Sequence, residues 1–173
     1  MSNSFRPAPL PGKAAPAATF VDLDSGPLSL DALLARADSR PTLLVFFKTS
    51  CPVCKLAWPY LQQLHLVRGD AVRVVGVCQN DAASARAFHA EYGKATFPLV
   101  LDPEPAFAAS NAYGVESVPH HVLIEPDGIV SRVFSGWQKR EMEELARQLA
   151  EKNHHPFIPV FAEGDPVPTF KPG

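Results

Sequence analysis

The sequence predicts an α/β protein in which a central sheet carries helices on both faces. Three observations predict it. Leu43-Leu44-Val45-Phe46-Phe47 is an unbroken apolar run, which leaves no solvent side and marks a strand covered on both faces. Val72-Arg73-Val74-Val75-Gly76-Val77 is a second such strand, ending at Cys78. Between them, from Lys55 to Val67, the period changes: Leu56, Tyr60, Leu64 and Val67 recur every three to four residues, with Ala57 and Leu61 widening the stripe, as on an amphipathic helix. Strands that alternate with helices in this way assemble as layers.

The other elements follow along the chain. Residues 1–18 are rich in Pro and Ala, and 1–15 read as an arm without regular structure. The domain proper is expected over 16–153. Thr19 to Leu30 holds two apolar pieces around Asp24-Ser25-Gly26-Pro27, the pattern of a hairpin, and Asp31 to Ala37 suits one or two helical turns. Pro59 falls inside the first long helix and predicts a kink. Asn80 or Asp81 can cap a helix with the stripe Ala85, Phe88, Tyr92, closed by Gly93. Phe97 to Leu101 is a further strand and Pro105 to Ala112 a short helix. His120 to Ile124 and Ile129 to Phe134 flank Glu125-Pro126-Asp127-Gly128, a strong hairpin turn. The last helix runs from about Lys139 to Lys152, with Met142, Leu145 and Leu149 inward and Glu143–Arg147 as an i,i+4 pair. The stretch 154–173 has five prolines but also Phe157, Ile158, Val160, Phe161, Val167 and Phe170. That much apolar surface predicts a tail lying against its own domain or, in a homodimer, against a neighbouring subunit.

Composition excludes several classes of function. At 173 residues the chain can bury a core without disulfide staples, and three cysteines are too few for a disulfide scaffold. A net charge of -2 gives no basic footprint for nucleic acid. No apolar run approaches the roughly 18 to 20 residues that span a bilayer. Met1 to Ala18, with one Arg, one Lys, four prolines and no apolar core, does not read as a signal peptide. The expected location is therefore the cytosol, where thiols are held reduced; a chain already relieved of a leader would read the same and be periplasmic.

The most specific feature is Thr49-Ser50-Cys51-Pro52-Val53-Cys54-Lys55, a Cys-x-x-Cys pair where the first buried strand hands over to a helix. Unpaired N–H groups at a helix start carry about half a positive charge and favour a thiolate at the first cysteine. Strand, Cys-x-x-Cys, helix is the context of a redox dithiol. Pro52 suits the first helical turn, where its missing N–H is no loss, and Val53 offers the Cys51 sulfur neither charge nor a side-chain hydrogen bond. Lys48, three residues ahead, could lower the Cys51 pKa by proximity of charge, or be simply solvated. Cys78 reads as a small buried hydrophobe and His154-His155 as solvated.

The chain resembles thioredoxin-fold proteins, specifically the redoxin branch of TlpA-like and ResA-like thiol–disulfide oxidoreductases, related to AhpC/TSA proteins. The residues that carry the resemblance coincide in order: the Leu43–Phe47 strand, the dithiol, Trp58-Pro59-Tyr60-Leu61 on the following helix, and Gly114-Val115-Glu116-Ser117-Val118-Pro119 before the strand ending in Glu125-Pro126-Asp127-Gly128. Leu101-Asp102-Pro103-Glu104, a short helix and Tyr113-Gly114-Val115 match the extra strand–helix segment of the branch. The resemblance covers about residues 16 to 152. It implies a thioredoxin-like three-layer fold, a central mixed sheet flanked by helices, with an N-terminal hairpin. It further implies that Cys51 is the exposed nucleophile and Cys54 the buried resolving thiol, acting without a cofactor or metal. Val118 would pair with a substrate strand beside a cis Pro119, with Pro52 and Val53 also facing substrate. Substrates would be protein or small-molecule disulfides, with electrons from an unidentified reductant.

This sequence also departs from the pattern. A buried Asp six residues before the first cysteine is Val45 here, and a Glu three residues after the second is Ala57. Proton transfer at the resolving thiol must then use water or another side chain, with Glu116 and His120 the nearest by motif. Lys48 and Trp58 complete the auxiliary candidates. Potentials in this fold span about -270 to -120 mV, and the lack of His at position 53 points to the reducing half. Two alternatives stay open. A peroxiredoxin-like peroxidase would want a Pro and a Thr where Leu44 and Lys48 stand. A metal or copper module would use the two thiolates with His120 or His121.

Overall fold

The computed structural model describes residues 7–173. In chain order the elements are β1 (Thr19–Asp22), β2 (Gly26–Ser29), α1 (Leu30–Ala35), β3 (Thr42–Phe47), α2 (Pro52–Arg68), β4 (Arg73–Cys78), α3 (Ala82–Glu91), β5 (Leu99–Leu101), α4 (Ala108–Ala112), β6 (His120–Ile124), β7 (Val130–Ser135), β8 (Trp137–Gln138), α5 (Lys139–Lys152) and β9 (Phe170–Lys171). The first seven strands form one sheet in the order β2-β1-β5-β4-β3-β6-β7. β3 runs parallel to β4, and β4 to β5, whereas β6 lies antiparallel to β3. The sheet is mixed, and β3 with its cysteine loop lies inside it.

All six residues of β3 are buried, and alternation sends them to two cores. Leu43, Val45 and Phe47 pack under α2, α3 and α5 with Cys54, Trp58, Leu61, Phe88, Met142 and Leu145. Leu44 and Phe46 pack on the other face with Phe20, Leu33, Val75, Tyr113 and Val122, under α1 and α4. This is the three-layer arrangement of a thioredoxin-like fold, with helices on both faces of a mixed sheet.

Local chemistry explains the element ends. α2 starts at Pro52, three residues ahead of the periodic stripe, because Cys51 serves as N-cap and Pro52 fills the first turn. The helix continues through Pro59 to Arg68. Of the two cap candidates for α3, Asp81 accepts from the Ser84 N–H, while Asn80 accepts instead from the Thr49 N–H at 2.9 Å. That second bond ties the loop ahead of Cys51 to the end of β4. The helix expected over 105–112 is confined to Ala108–Ala112, where buried Asp102 accepts from the N–H groups of Ala109 and Ser110. The Glu143–Arg147 pair expected on α5 does not form. Arg147 stacks 4.4 Å over the Phe157 ring, and the ion pairs on α5 join Arg132 to Glu141 and Arg140 to Glu144.

Both flanking segments dock. In the N-terminal arm, Gly12 N–H donates to Val130 O and Ala15 N–H to Gly128 O, so this stretch bonds to the β6–β7 hairpin. Residues 1–6 of that arm lie outside the described residues. In the tail, Val160, Phe161 and Val167 are buried in the α2/α5 core. Tyr60, Trp137 and Phe161 form an aromatic cluster there, and the Tyr60 hydroxyl donates to Asp165 at 3.0 Å. The tail then turns back as β9, antiparallel to β8. Phe157, Ile158 and Phe170 stay on the surface. Among the described residues no helix is long and apolar enough to cross a membrane.

Candidate active site

Strand β3 and helix α2 place the two cysteines. The chain leaves β3, makes a turn in which Cys51 N–H donates to Lys48 O at 3.1 Å, and enters α2 at Pro52. Cys51 is half-buried and Cys54, one helical turn on, is fully buried; both are free thiols. The Cys54 N–H donates to Cys51 Sγ at 3.1 Å, as a cap donor would to a serine oxygen. Cys51 Sγ in turn donates to Val118 O at 3.3 Å. The Val118–Pro119 peptide, at the start of β6, is cis.

The two thiols differ in acidity because their surroundings differ. The Cys51 pKa is lowered from 9.0 to about 6, first by the hydrogen bond from the Cys54 side chain. Backbone N–H groups of Cys54 and Val53 and the charge of Lys55 act in the same direction, against a cost from burial. The Cys54 thiol is pushed well above its usual range by burial, then by its bond to Cys51 and by the Cys51 charge. Burial also raises the Cys78 thiol to about 11, as befits a buried strand residue.

The remaining sequence candidates are distributed unevenly. Pro52 is exposed, Val53 and Val118 are half-buried and Pro119 is buried, all at the α2 start or the β6 start. Lys48 is exposed with Nζ 5.8 Å over the Phe107 ring, and the charge acting on Cys51 is that of Lys55. Trp58 belongs to the core: it is fully buried against Phe47, Phe88 and Phe97, and its Nε1–H donates to His89 Nδ1 at 3.0 Å. An indole ahead of a helix proline looks the same in sequence whether it faces substrate or sheet.

Glu116 is exposed in the loop before Val118. His120 pairs in register with Phe46, so it lies on the face away from Cys54, buried and bonded through Nδ1 to Ser135 Oγ at 2.7 Å. His121 pairs with Val45 and lies on the Cys54 side, fully enclosed and stacked on Phe134. Among the described residues no group of three or more His, Cys, Asp or Glu side chains is placed to hold a metal ion. Sequence reading assigned no role to Lys55 or His89. Lys55 could have been found from its place in the first turn of a helix that starts at Pro52.

A half-buried thiol of lowered pKa at a helix start and a buried partner one turn along, on a mixed sheet with helices on both faces, are the arrangement of a thiol–disulfide oxidoreductase of the thioredoxin fold. The AhpC/TSA family matches residues 11–133, and the chain belongs to that family, on its ResA-like redoxin side. It is 27% identical over 152 residues to the thiol-disulfide oxidoreductase ResA of Halalkalibacterium halodurans, covering 86% of this chain and 82% of that protein. Among solved structures it superposes on a putative thiol:disulfide interchange protein DsbE from Chlorobium tepidum with a TM-score of 0.68 at 23% identity, covering 82% of this chain and 96% of that one. A secreted Mycobacterium tuberculosis disulfide oxidoreductase homologous to E. coli DsbE matches with a TM-score of 0.59 at 22% identity, covering 78% and 95%. The structural likenesses establish the shared fold.

Proposed function

We propose that this oxidoreductase works as a disulfide reductase, with Cys51 as nucleophile and Cys54 as resolving thiol. The observation that carries the reading is the asymmetry of the pair. Cys51 is reachable and largely thiolate at neutral pH, while Cys54 is enclosed and kept protonated. The Cys51 thiolate attacks one sulfur of a substrate disulfide; that S–S bond breaks, a substrate thiolate departs, and a mixed disulfide forms. The Cys51 charge has then gone, and with it part of what held the Cys54 proton in place. Cys54 must then pass its proton to the departing thiolate or to water before it attacks, a transfer that the absent family acid would otherwise assist. Cys54 Sγ attacks Cys51 Sγ, the second substrate thiolate leaves, and two electrons have passed from the dithiol to the substrate.

A thiol pKa near 6 lies closer to the roughly 7 of thioredoxin than to the roughly 3.5 of the strong oxidant DsbA, which favours reduction. A cytosolic setting suits that direction; cell fractionation decides it against the secreted setting described for the M. tuberculosis relative. Val118, with Pro119, Pro52 and Val53 around it, offers backbone and apolar surface to an extended protein disulfide. Val160, Phe161 and Val167 of the apolar tail are buried within their own domain, and the reading invokes no second subunit. Lys48 and Glu116 are charged surface groups without a step of their own.

The test is a Cys54→Ser variant challenged with insulin. A mixed disulfide through Cys51 that accumulates, together with turnover by the unmodified protein, is the expected result. Absence of both overturns the reading. Rapid Cys51-dependent consumption of peroxide would favour the peroxidase alternative instead.

A further inference from the structure

The tail ends its course at the site. Lys139 N–H donates to Thr169 O at 3.0 Å, Trp137 Nε1–H donates to Pro168 O, and Trp137 and Gln138 pair with Lys171 and Phe170. From there the segment reaches the loop that precedes β6. A Cβ built on Gly173 would stand 2.8 Å from Val118 O and 2.8 Å from Ser117 Oγ. Gly136, φ +70°, donates its N–H to Pro119 O, and a Cβ on it would stand 2.5 Å from Lys171 O. The same Val118 carbonyl accepts from Cys51 Sγ. Phe170 and Lys171 thus pair with β8, and Gly173 lies against the backbone at Ser117 and Val118, beside the Cys51 sulfur.

How the segment is held matters as much as where it lies. Upstream, Val160, Phe161 and Val167 anchor it in the core. Downstream, Phe170 is 57% exposed, Lys171 to Gly173 are exposed, and a two-residue ladder holds them. Such a stretch opens at little cost in free energy, yet its anchor keeps it at high local concentration beside Val118.

We propose that residues 170–173 act as a built-in occupant of the substrate strand's place, making this segment a specificity determinant of the enzyme. Extended protein disulfides must displace it, whereas small disulfides reach Cys51 Sγ without pairing to Val118. The proposal rests on the reductase reading above and adds the selection among its substrates.

The experiment compares the reduced 173-residue chain with a variant lacking residues 170–173, which keeps the three buried anchors. Each is oxidised by insulin and, separately, by glutathione disulfide. The shortened protein is expected to react with insulin about tenfold faster, equivalent to some 1.4 kcal/mol of competition removed, and with glutathione disulfide at an unchanged rate. A synthetic Val167–Gly173 peptide added back should slow the insulin reaction alone. An unchanged or slower insulin reaction overturns the proposal, as does a parallel fall with both substrates accompanied by loss of circular dichroism, which assigns the segment to the fold. Failure of the unshortened chain to react with glutathione disulfide would instead count against the reductase reading.

Discussion

The Cys51 sulfur has neighbours of opposite preference. Val118 O favours the protonated thiol, while the Cys54 side chain and the N–H groups at the start of α2 favour the thiolate, and the second set prevails. Alkylation of Cys51 should accordingly be half-maximal near pH 6, and Cys54→Ala, which removes the largest contribution, should move that midpoint toward 9. The same shift sets a pH dependence of stability. A thiol whose folded pKa is depressed stabilises the fold fully above its unfolded value of 9.0 and loses that contribution as pH falls through about 6. The dithiol form should therefore gain stability from pH 6 to 9 in denaturant titrations, and the Cys51–Cys54 disulfide form should not. The histidines of β6 act on the acid side. Burial holds His120 down to about 4 and His121 to about 3, from 6.5. Unfolded, both take up protons below about 6.5, so stability present above that pH is lost on acidification toward 4. Urea unfolding of His121→Gln should show a shallower loss over that window.

At the scale of the element, α2 matters as much for what it buries as for what it presents. Trp58 lies across β4 at Gly76, where a Cβ would stand 3.2 Å from the indole ring. Trp58→Ala should cost about 3–5 kcal/mol through the cavity left behind, read as a lowered urea midpoint. Gly93, φ +78°, lets the turn after α3 close on Pro59, where a Cβ would stand 2.8 Å from the proline Cα. Much of this level was legible in the sequence. Unbroken apolar runs marked β3 and β4, and Glu125–Gly128 marked the hairpin, because covered strands and tight turns leave local signatures. The start of α2 and the shortness of α4 were not legible, since their limits depend on distant partners. Cys51 caps α2 through its sulfur, and Asp102 caps α4 from across a loop.

At the scale of the molecule, the stretch 154–173 completes the α2/α5 core. Tyr60→Phe, which removes the bond to Asp165, should cost about 1 kcal/mol. Deleting residues 154–173 uncovers Trp137, Tyr60 and their neighbours, so it should lower the thermal midpoint and raise binding of an apolar dye.

The layered α/β class, the dithiol at a strand–helix junction and the apolar character of the tail can all be read along the chain. Each is written in residues close together along the chain, where periodicity and turn chemistry act. Packing across the chain settled the rest: Trp58 is core, His120 and His121 lie on opposite faces of one strand, and the tail returns to Val118. Those outcomes depend on register between strands and on contacts between segments some thirty to seventy-five residues apart, which no local pattern encodes.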